Sequence, residues 1–300
     1  MMADITVPPE NPPMRLDQFV TANVAGVSRR RLRSVDLRLN GRPSRHGAVV
    51  RAGDVVSVPD ELVSGVLLAA NADLRLPLVH VDEHLVVVDK PARMASVALR
   101  ADETETVANF LLAAFPETRD AGAPLEAGLV HRLDNETSGV LVAARSKDVY
   151  GQLRDQFSRH LVEKTYMAVV HGDLADAGEV DVPIAHDPRH PSRMLACPAA
   201  ERASALGARP ARTRYQPVVR YGRLTLLRVA MNTGVRHQVR VHLAGLGHPI
   251  VGDAVYGSMK PARGQRHALH ASRIRMLHPA GAELDVESPL PADIESLLKK

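Results

Sequence analysis

A single cysteine, Cys197, stands in 300 residues, and there is no tryptophan. One thiol excludes an internal disulfide framework and any site built from several thiolates of one chain. Aromatic residues make up only 3%, so any stacking on a ring-shaped ligand falls to a few Tyr, Phe, His or Arg side chains. No hydrophobic run is long enough to span a bilayer, and the opening MMADITVPPE has no apolar core of a signal peptide. A soluble, cytoplasmic protein without a membrane partner is expected. The G-x-x-x-x-G-K phosphate loop, the dinucleotide fingerprint and a Cys/His metal cluster are also missing, so no cofactor and no metal are expected. His186 and His190 are spaced like a ligand pair, but Pro188 and Pro191 disfavour the helix that would bring them together.

What is present is basic and rich in arginine. The formal net charge is +4 and the pI about 9.4, and Arg suits phosphate forks and base stacking, so a polyanionic partner is expected. Residues 1–13 are Pro-rich and read as a flexible tail. In 14–62, a helical pattern on Leu16, Phe19, Val20 and Val24 precedes a second helix from Ser28, which carries Arg29, Arg30 and Arg33 outward; tight turns at Asn40-Gly41 and Gly53-Asp54 follow. Residues 63–76 read as a linker, and 77–300 as the larger domain.

The larger domain centres on GLVHRLDNETSGVLVAA, residues 128–144, a polar loop held between two apolar segments. Asp134 sits at the mouth of this turn, two positions after Arg132. Taken alone, an Asp among hydroxyl residues fits a turn cap as well as a reactive group. Around it, Leu85 to Val88 reads as a buried strand, and Thr106 and Ser146 as N-caps of helices. EKTYMAVVHG reads as an alternating strand containing Tyr166, and 183–212 as an irregular insertion. Arg214 to Met231 reads as two strands broken at Tyr221-Gly222. Thr233 is expected to cap a further helix with Val235, Val239, Leu243 and Leu246 on its apolar face and Arg236 and Arg240 one turn apart. Strands that do not alternate regularly with helices point to an α+β fold with a mixed, mainly antiparallel sheet.

HRLDNETSG resembles the H-R-L-D-x-x-T-S-G signature of the RluA-type pseudouridine synthases at every fixed position. EKTYMAVVHG is similar to the family's K-x-Y-x-A-x-V-x-G. NTGVRHQVRVHLAGLGHPIVGDAVYG is similar to T-G-R-T-H-Q-I-R-V-H-L followed by G-H-P-I-x-G-D-x-x-Y-G, with Val235 and Arg236 replacing Arg-Thr. The N-terminal run RLDQFV, SRRRLRS, LRLNGRP and VRAGDVVSV resembles an S4-like RNA-binding domain. The likeness extends from Met14 to the closing strands, with gaps at 92–100 and 187–211.

The resemblance implies a pseudouridine synthase fold and an isomerase that converts uridines of RNA, most often large-subunit ribosomal RNA, to pseudouridine. Asp134 would be catalytic, Arg240 its charge partner, and Tyr166 would lie against the target base. Arg132 would fill the place of a flipped nucleotide, and Arg29, Arg30, Arg33 and Arg236 would contact RNA. A monomer is expected. Transfer RNA as substrate, a non-catalytic RNA-binding or ribosome-assembly protein, and a nucleoside or RNA hydrolase are the alternatives; the last would want a second carboxylate, for which Glu136 is the near neighbour.

Overall fold

Apolar residues in unbroken runs make strands that are covered on both faces, and two such runs lie side by side in the larger sheet, one strand in from its edge. The computed structural model describes residues 2–24, 27, 32, 35–60, 68–100, 102–257 and 261–299. Strand β8 (Leu85–Lys90) and strand β9 (Ser138–Ala144) pair antiparallel from Leu85 opposite Ala144 to Lys90 opposite Gly139. Side chains alternate across them with period two. Val86, Val88, Leu141 and Ala143 enter the main core, while Leu85, Val87, Val140 and Val142 enter a second core on the other face.

The remaining strands of this domain are β7 (Leu78–Val81), β10 (Glu163–His171), β11 (Gly178–Asp181), β14 (Arg212–Tyr221), β15 (Leu224–Met231), β16 (Leu269–Leu277) and β17 (Glu283–Glu287). They run in the order β11-β14-β15-β10-β16-β9-β8-β7, with β17 on β16. Every pairing in this sheet is antiparallel except β16 on β9. This is the expected mixed, mainly antiparallel α+β architecture. Helices begin where the sequence provides caps. Thr106 caps Val107–Ala114, accepting from the Asn109 N–H at 3.3 Å, and Ser146 caps Lys147–Ser158 through the Val149 N–H at 3.3 Å.

The N-terminal residues build a separate four-stranded sheet in the order β1 (Met2–Thr6), β6 (Val55–Pro59), β3 (Leu37–Leu39) and β4 (Arg42–Ser44), beside a short pair of β2 (Met14–Arg15) and β5 (Val49–Val50), with its own core of Leu16, Phe19, Val20, Leu37, Val56 and Val58. Here the flexible tail needs correction. Residues Met2–Thr6 form a strand paired antiparallel with Val55–Pro59, because Ile5 and Val7 supply apolar contacts that the prolines around them obscure. The basic run with Arg29, Arg30 and Arg33 lies outside the described residues, as do 61–67. The later part of the expected linker, 68–76, is packed onto the larger domain. Leu68 is buried in the main core, and Asn109 Nδ2 donates to the Ala69 carbonyl at 2.7 Å.

Two more expectations change. The insertion at 183–212 is not wholly irregular: β12 (Ile184–His186) pairs with β13 (Met194–Ala196), and Ala200–Ala205 is helical. Thr233 is not an N-cap. The helix spans Gln238–Gly245 and starts after His237, whose backbone is left-handed with φ of 57°. Thr233 Oγ1 instead bonds Gln238 Oε1 at 3.0 Å. Arg236 therefore precedes the helix rather than sharing a face with Arg240, Val235 packs in a satellite cluster, and Leu246 is exposed.

The parallel β9–β16 contact depends on one glycine. Gly139 has φ of 114°, and a Cβ placed there would stand 2.1 Å from the Ala271 carbonyl oxygen. Gly139→Ala therefore meets both a backbone penalty and a clash with main chain that cannot yield. A loss of at least about 2 kcal/mol is expected in denaturant unfolding, whereas Gly151→Ala, with open space at its Cβ, should leave stability unchanged or higher.

Candidate active site

The row of residues that crosses the sheet at Ala271 assembles the site. Tyr166 on β10 is opposite Ala271 on β16, and Ala271 is opposite Gly139 on β9, directly after the signature loop. A register shift between Thr165 and Tyr166 re-aims the Tyr166 side chain. The loop itself is pinned from two sides. Leu133 N–H donates to Ser96 Oγ and Ser96 Oγ donates to Leu133 O, both at 3.1 Å. Lys90, fully buried, donates to the carbonyls of Pro91, Met94 and Asn135 at 2.9, 2.8 and 3.0 Å. The atypical segment 92–100 thus holds the signature loop's backbone through the Ser96 hydroxyl and through the Arg93 N–H, which donates to the Asn135 carbonyl at 2.8 Å.

Asp134 Oδ2 accepts from Arg240 Nη1 at 2.8 Å, joining two motifs 106 residues apart. The Arg240 side chain is 7% exposed and that of Asp134 28%. The guanidinium is gripped from behind. Its Nε and Nη2 donate to Asp253 Oδ2 and Oδ1 at 2.7 and 2.9 Å, a bidentate pair with a fully buried carboxylate. Asp253 in turn accepts the N–H groups of Val255 and Tyr256 at 2.9 and 3.0 Å. The free Asp134 oxygen, Oδ1, faces His237 Nε2 at 3.8 Å.

Electrostatics keep the Asp134 carboxyl ionised. Burial pushes Asp134 up, but the His237 ring and the Arg240 guanidinium reverse this and hold it below the usual carboxylate range. His237 is itself pushed down to about 4, first by burial, so near neutral pH the standing positive charge beside Asp134 is that of Arg240. Burial, then the Asp134 charge, pushes the Tyr166 phenol up, so it stays protonated. Its hydroxyl makes no hydrogen bond among the described residues.

The other expected residues fall in different places. Arg132 is exposed and makes no hydrogen bond or ion pair among the described residues. Arg236 is exposed and donates weakly to the carbonyls of Pro191 and Ser192, at 3.4 and 3.3 Å. His131, by contrast, is an interior residue: it stacks on Phe157 at 4.9 Å between ring centroids and accepts the Val142 N–H at 3.1 Å. Asp253, His237 and Lys90 were not singled out from sequence. Each lies inside a quoted motif or strand, and burial of a charged or imidazole group was the missing signal.

One trio outside this site has the make-up of a metal centre: His80, Asp82 and His278 bring three ligand atoms within 4.8 Å of one another. Their atoms are already satisfied. His80 Nε2 and His278 Nε2 lie 2.6 and 2.9 Å from Asp82 Oδ2. The Ala280 N–H donates to His278 Nδ1 at 3.1 Å, which puts the His278 proton on Nε2, the atom a cation would need. The trio reads as a hydrogen-bonded tie between β7 and the β16–β17 turn.

Comparison with known proteins gives the same reading as the geometry. The RNA pseudouridylate synthase family profile matches residues 84–245. A Chloroflexus aurantiacus protein described as an uncharacterized RNA pseudouridine synthase is 35% identical, over 99% of this chain and 92% of that one. The ribosomal large subunit pseudouridine synthase D of Pseudomonas aeruginosa is 34% identical, over 97% of this chain and 93% of its own. Among solved structures, human RNA pseudouridylate synthase domain containing 4 is 27% identical with a TM-score of 0.58, covering 74% of this chain and 91% of that one. The chain belongs to the RNA pseudouridylate synthase family, enzymes that isomerise uridine in RNA to pseudouridine.

Proposed function

We propose that this chain isomerises specific uridines of large-subunit ribosomal RNA, with Asp134 as the group that acts on the nucleotide. The observation that carries the reading is the 2.8 Å contact between Asp134 and Arg240, an ionised carboxylate with one oxygen paired and the other open. Pseudouridine formation breaks the bond from uracil N1 to ribose C1′ and remakes it from C5. An ionised carboxylate can act on the ribose or the base, as in covalent glycosyl transfer. Tyr166, protonated and buried within reach of the Asp134 charge, packs against the extruded base. Arg132, exposed and without a hydrogen bond or ion pair among the described residues, takes the place of the flipped nucleotide in the RNA stack.

The ribosomal substrate is supported by relatives named ribosomal large subunit pseudouridine synthase D, at 31 to 37% identity. Residues 14–62, with Arg29, Arg30 and Arg33, act in this reading as an S4-like RNA-binding module, and Arg236 adds a phosphate contact beside the site. The support is their motif order and basic charge, which contact phosphates without reading sequence. A monomer is part of this reading. No helix among the described residues is long and apolar enough to cross a membrane, and a ribosomal substrate puts the enzyme in the cytoplasm.

Carbodiimide primer extension on cellular RNA with and without the gene tests the reading: at least one stop in large-subunit ribosomal RNA should disappear and return with the wild-type chain but not with Asp134→Asn. A stop lost only from transfer RNA would redirect the substrate, and no lost stop would end the enzymatic reading. Arg240→Met removes the guanidinium that outweighs burial at Asp134, so the Asp134 pKa rises and the acid limb of the rate profile moves to higher pH. Wild type should stay flat between about pH 5 and 8. The same variant leaves Asp253 buried and unpaired, and should lower unfolding stability by about 3–5 kcal/mol. Arg132→Ala should lose more activity on structured RNA than on a short single strand; equal losses would remove Arg132 from the stack-filling role.

A further inference from the structure

We propose that Tyr256 and His237 form a positioning pair for Asp134, in which the Tyr256 hydroxyl fixes the imidazole tautomer and so presents Nε2–H to the carboxylate oxygen that Arg240 leaves open. The inference rests on the reading of Asp134 as the reacting group and adds how its second oxygen is held.

Tyr256 Oη lies 2.8 Å from the Met194 backbone nitrogen and 2.8 Å from His237 Nδ1. An amide N–H can only donate, so Oη accepts from Met194 and its single proton is left for Nδ1. A neutral imidazole that accepts at Nδ1 carries its proton on Nε2. Nε2 is the atom facing Asp134 Oδ1 at 3.8 Å. The opposite tautomer would leave the phenol proton without the acceptor that now lies beside it and would aim a nitrogen lone pair at a carboxylate. Burial keeps the ring uncharged near neutral pH, so the donor is a dipole and does not neutralise Asp134.

The pair is held in place on every side. His237 occupies left-handed backbone, with φ of 57°, a conformation His tolerates better than most residues. The Tyr256 ring lies under two guanidinium groups, Arg240 at 5.2 Å and Arg193 at 5.6 Å from its centroid. Arg193 and Met194 belong to the hairpin of β12 and β13, inside the stretch where the motifs lapse. That hairpin therefore supports the site through a main-chain N–H and a stacked cation. At 3.8 Å the Nε2–H is too far for a hydrogen bond. It stands ready to close on Oδ1, or on the substrate atom bonded to it, as the carboxylate reacts. The charged and titratable groups around His237 are Asp134, Arg240, Arg236 and Asp253, with Tyr256 on its other nitrogen and Arg193 behind.

Nitrogen-15 NMR of the histidine-labelled full chain near neutral pH tests this, with His237 assigned from the signals lost in His237→Asn. Nδ1 should show the shift of an unprotonated nitrogen and Nε2 that of a protonated one. Tyr256→Phe should then mix the tautomers, lower kcat roughly 10- to 100-fold with KM nearly unchanged, the range expected for one hydrogen bond to a charged group, and move the acid limb upward. An unprotonated Nε2 in the wild type would overturn the proposal, whether or not Tyr256→Phe folds. So would wild-type kcat and acid limb in a folded Tyr256→Phe protein whose Asp134→Asn counterpart is inactive. Activity in Asp134→Asn would instead overturn the reading of the site beneath it.

Discussion

A guanidinium sealed between two carboxylates is the constraint on which the rest of the site depends. Left to burial alone, Asp134 would take up a proton and lose its use. Arg240 prevents this only because it cannot release its own proton and cannot move, being forked onto Asp253, which is itself fixed by two backbone amides. Two negative groups share one positive group, so the cluster keeps a net charge of one sign in a partly closed setting. The Asp134 pKa still lies below the usual carboxylate range, so the ionised form is stabilised in place and needs no rearrangement before a substrate arrives.

The scaffold exists to make that arrangement rigid. Tyr166, Ala271 and Gly139 form one row across three adjacent strands, so the end of the signature loop, Tyr166 and strand β16 are fixed by the same ladder of main-chain hydrogen bonds. Lys90 and Ser96 then tie the loop's backbone from below. Lys90 is pushed down to about 7, first by burial and then by Arg266, which marks how much desolvation the fold accepts in order to satisfy three carbonyls at once.

Much of this was legible in the residues. The pairing of Asp134 with Arg240 followed from motif position, the capped helices followed from Thr106 and Ser146, and the two-sided burial of Leu85 to Val88 followed from an unbroken apolar run. Other features were hidden for physical reasons. The first strand lay behind prolines that flank rather than interrupt it. The start of the Gln238–Gly245 helix was misplaced because His237 takes a left-handed turn that no periodicity signals, and this alone moved Arg236 off the Arg240 face. The hairpin at 184–196 is short, and its role comes from a backbone N–H, which has no side-chain signature at all.

The parallel join of β9 to β16 has a consequence for the order in which the protein becomes active. The signature loop runs into a strand whose partner at Gly139 is Ala271, synthesised more than a hundred residues later. A nascent chain that stops short of that point already holds Lys90, Ser96 and Arg240, but it lacks the strand that lies between β9 and β10. The row that sets the loop in line with Tyr166 therefore closes only after Ala271 has been made.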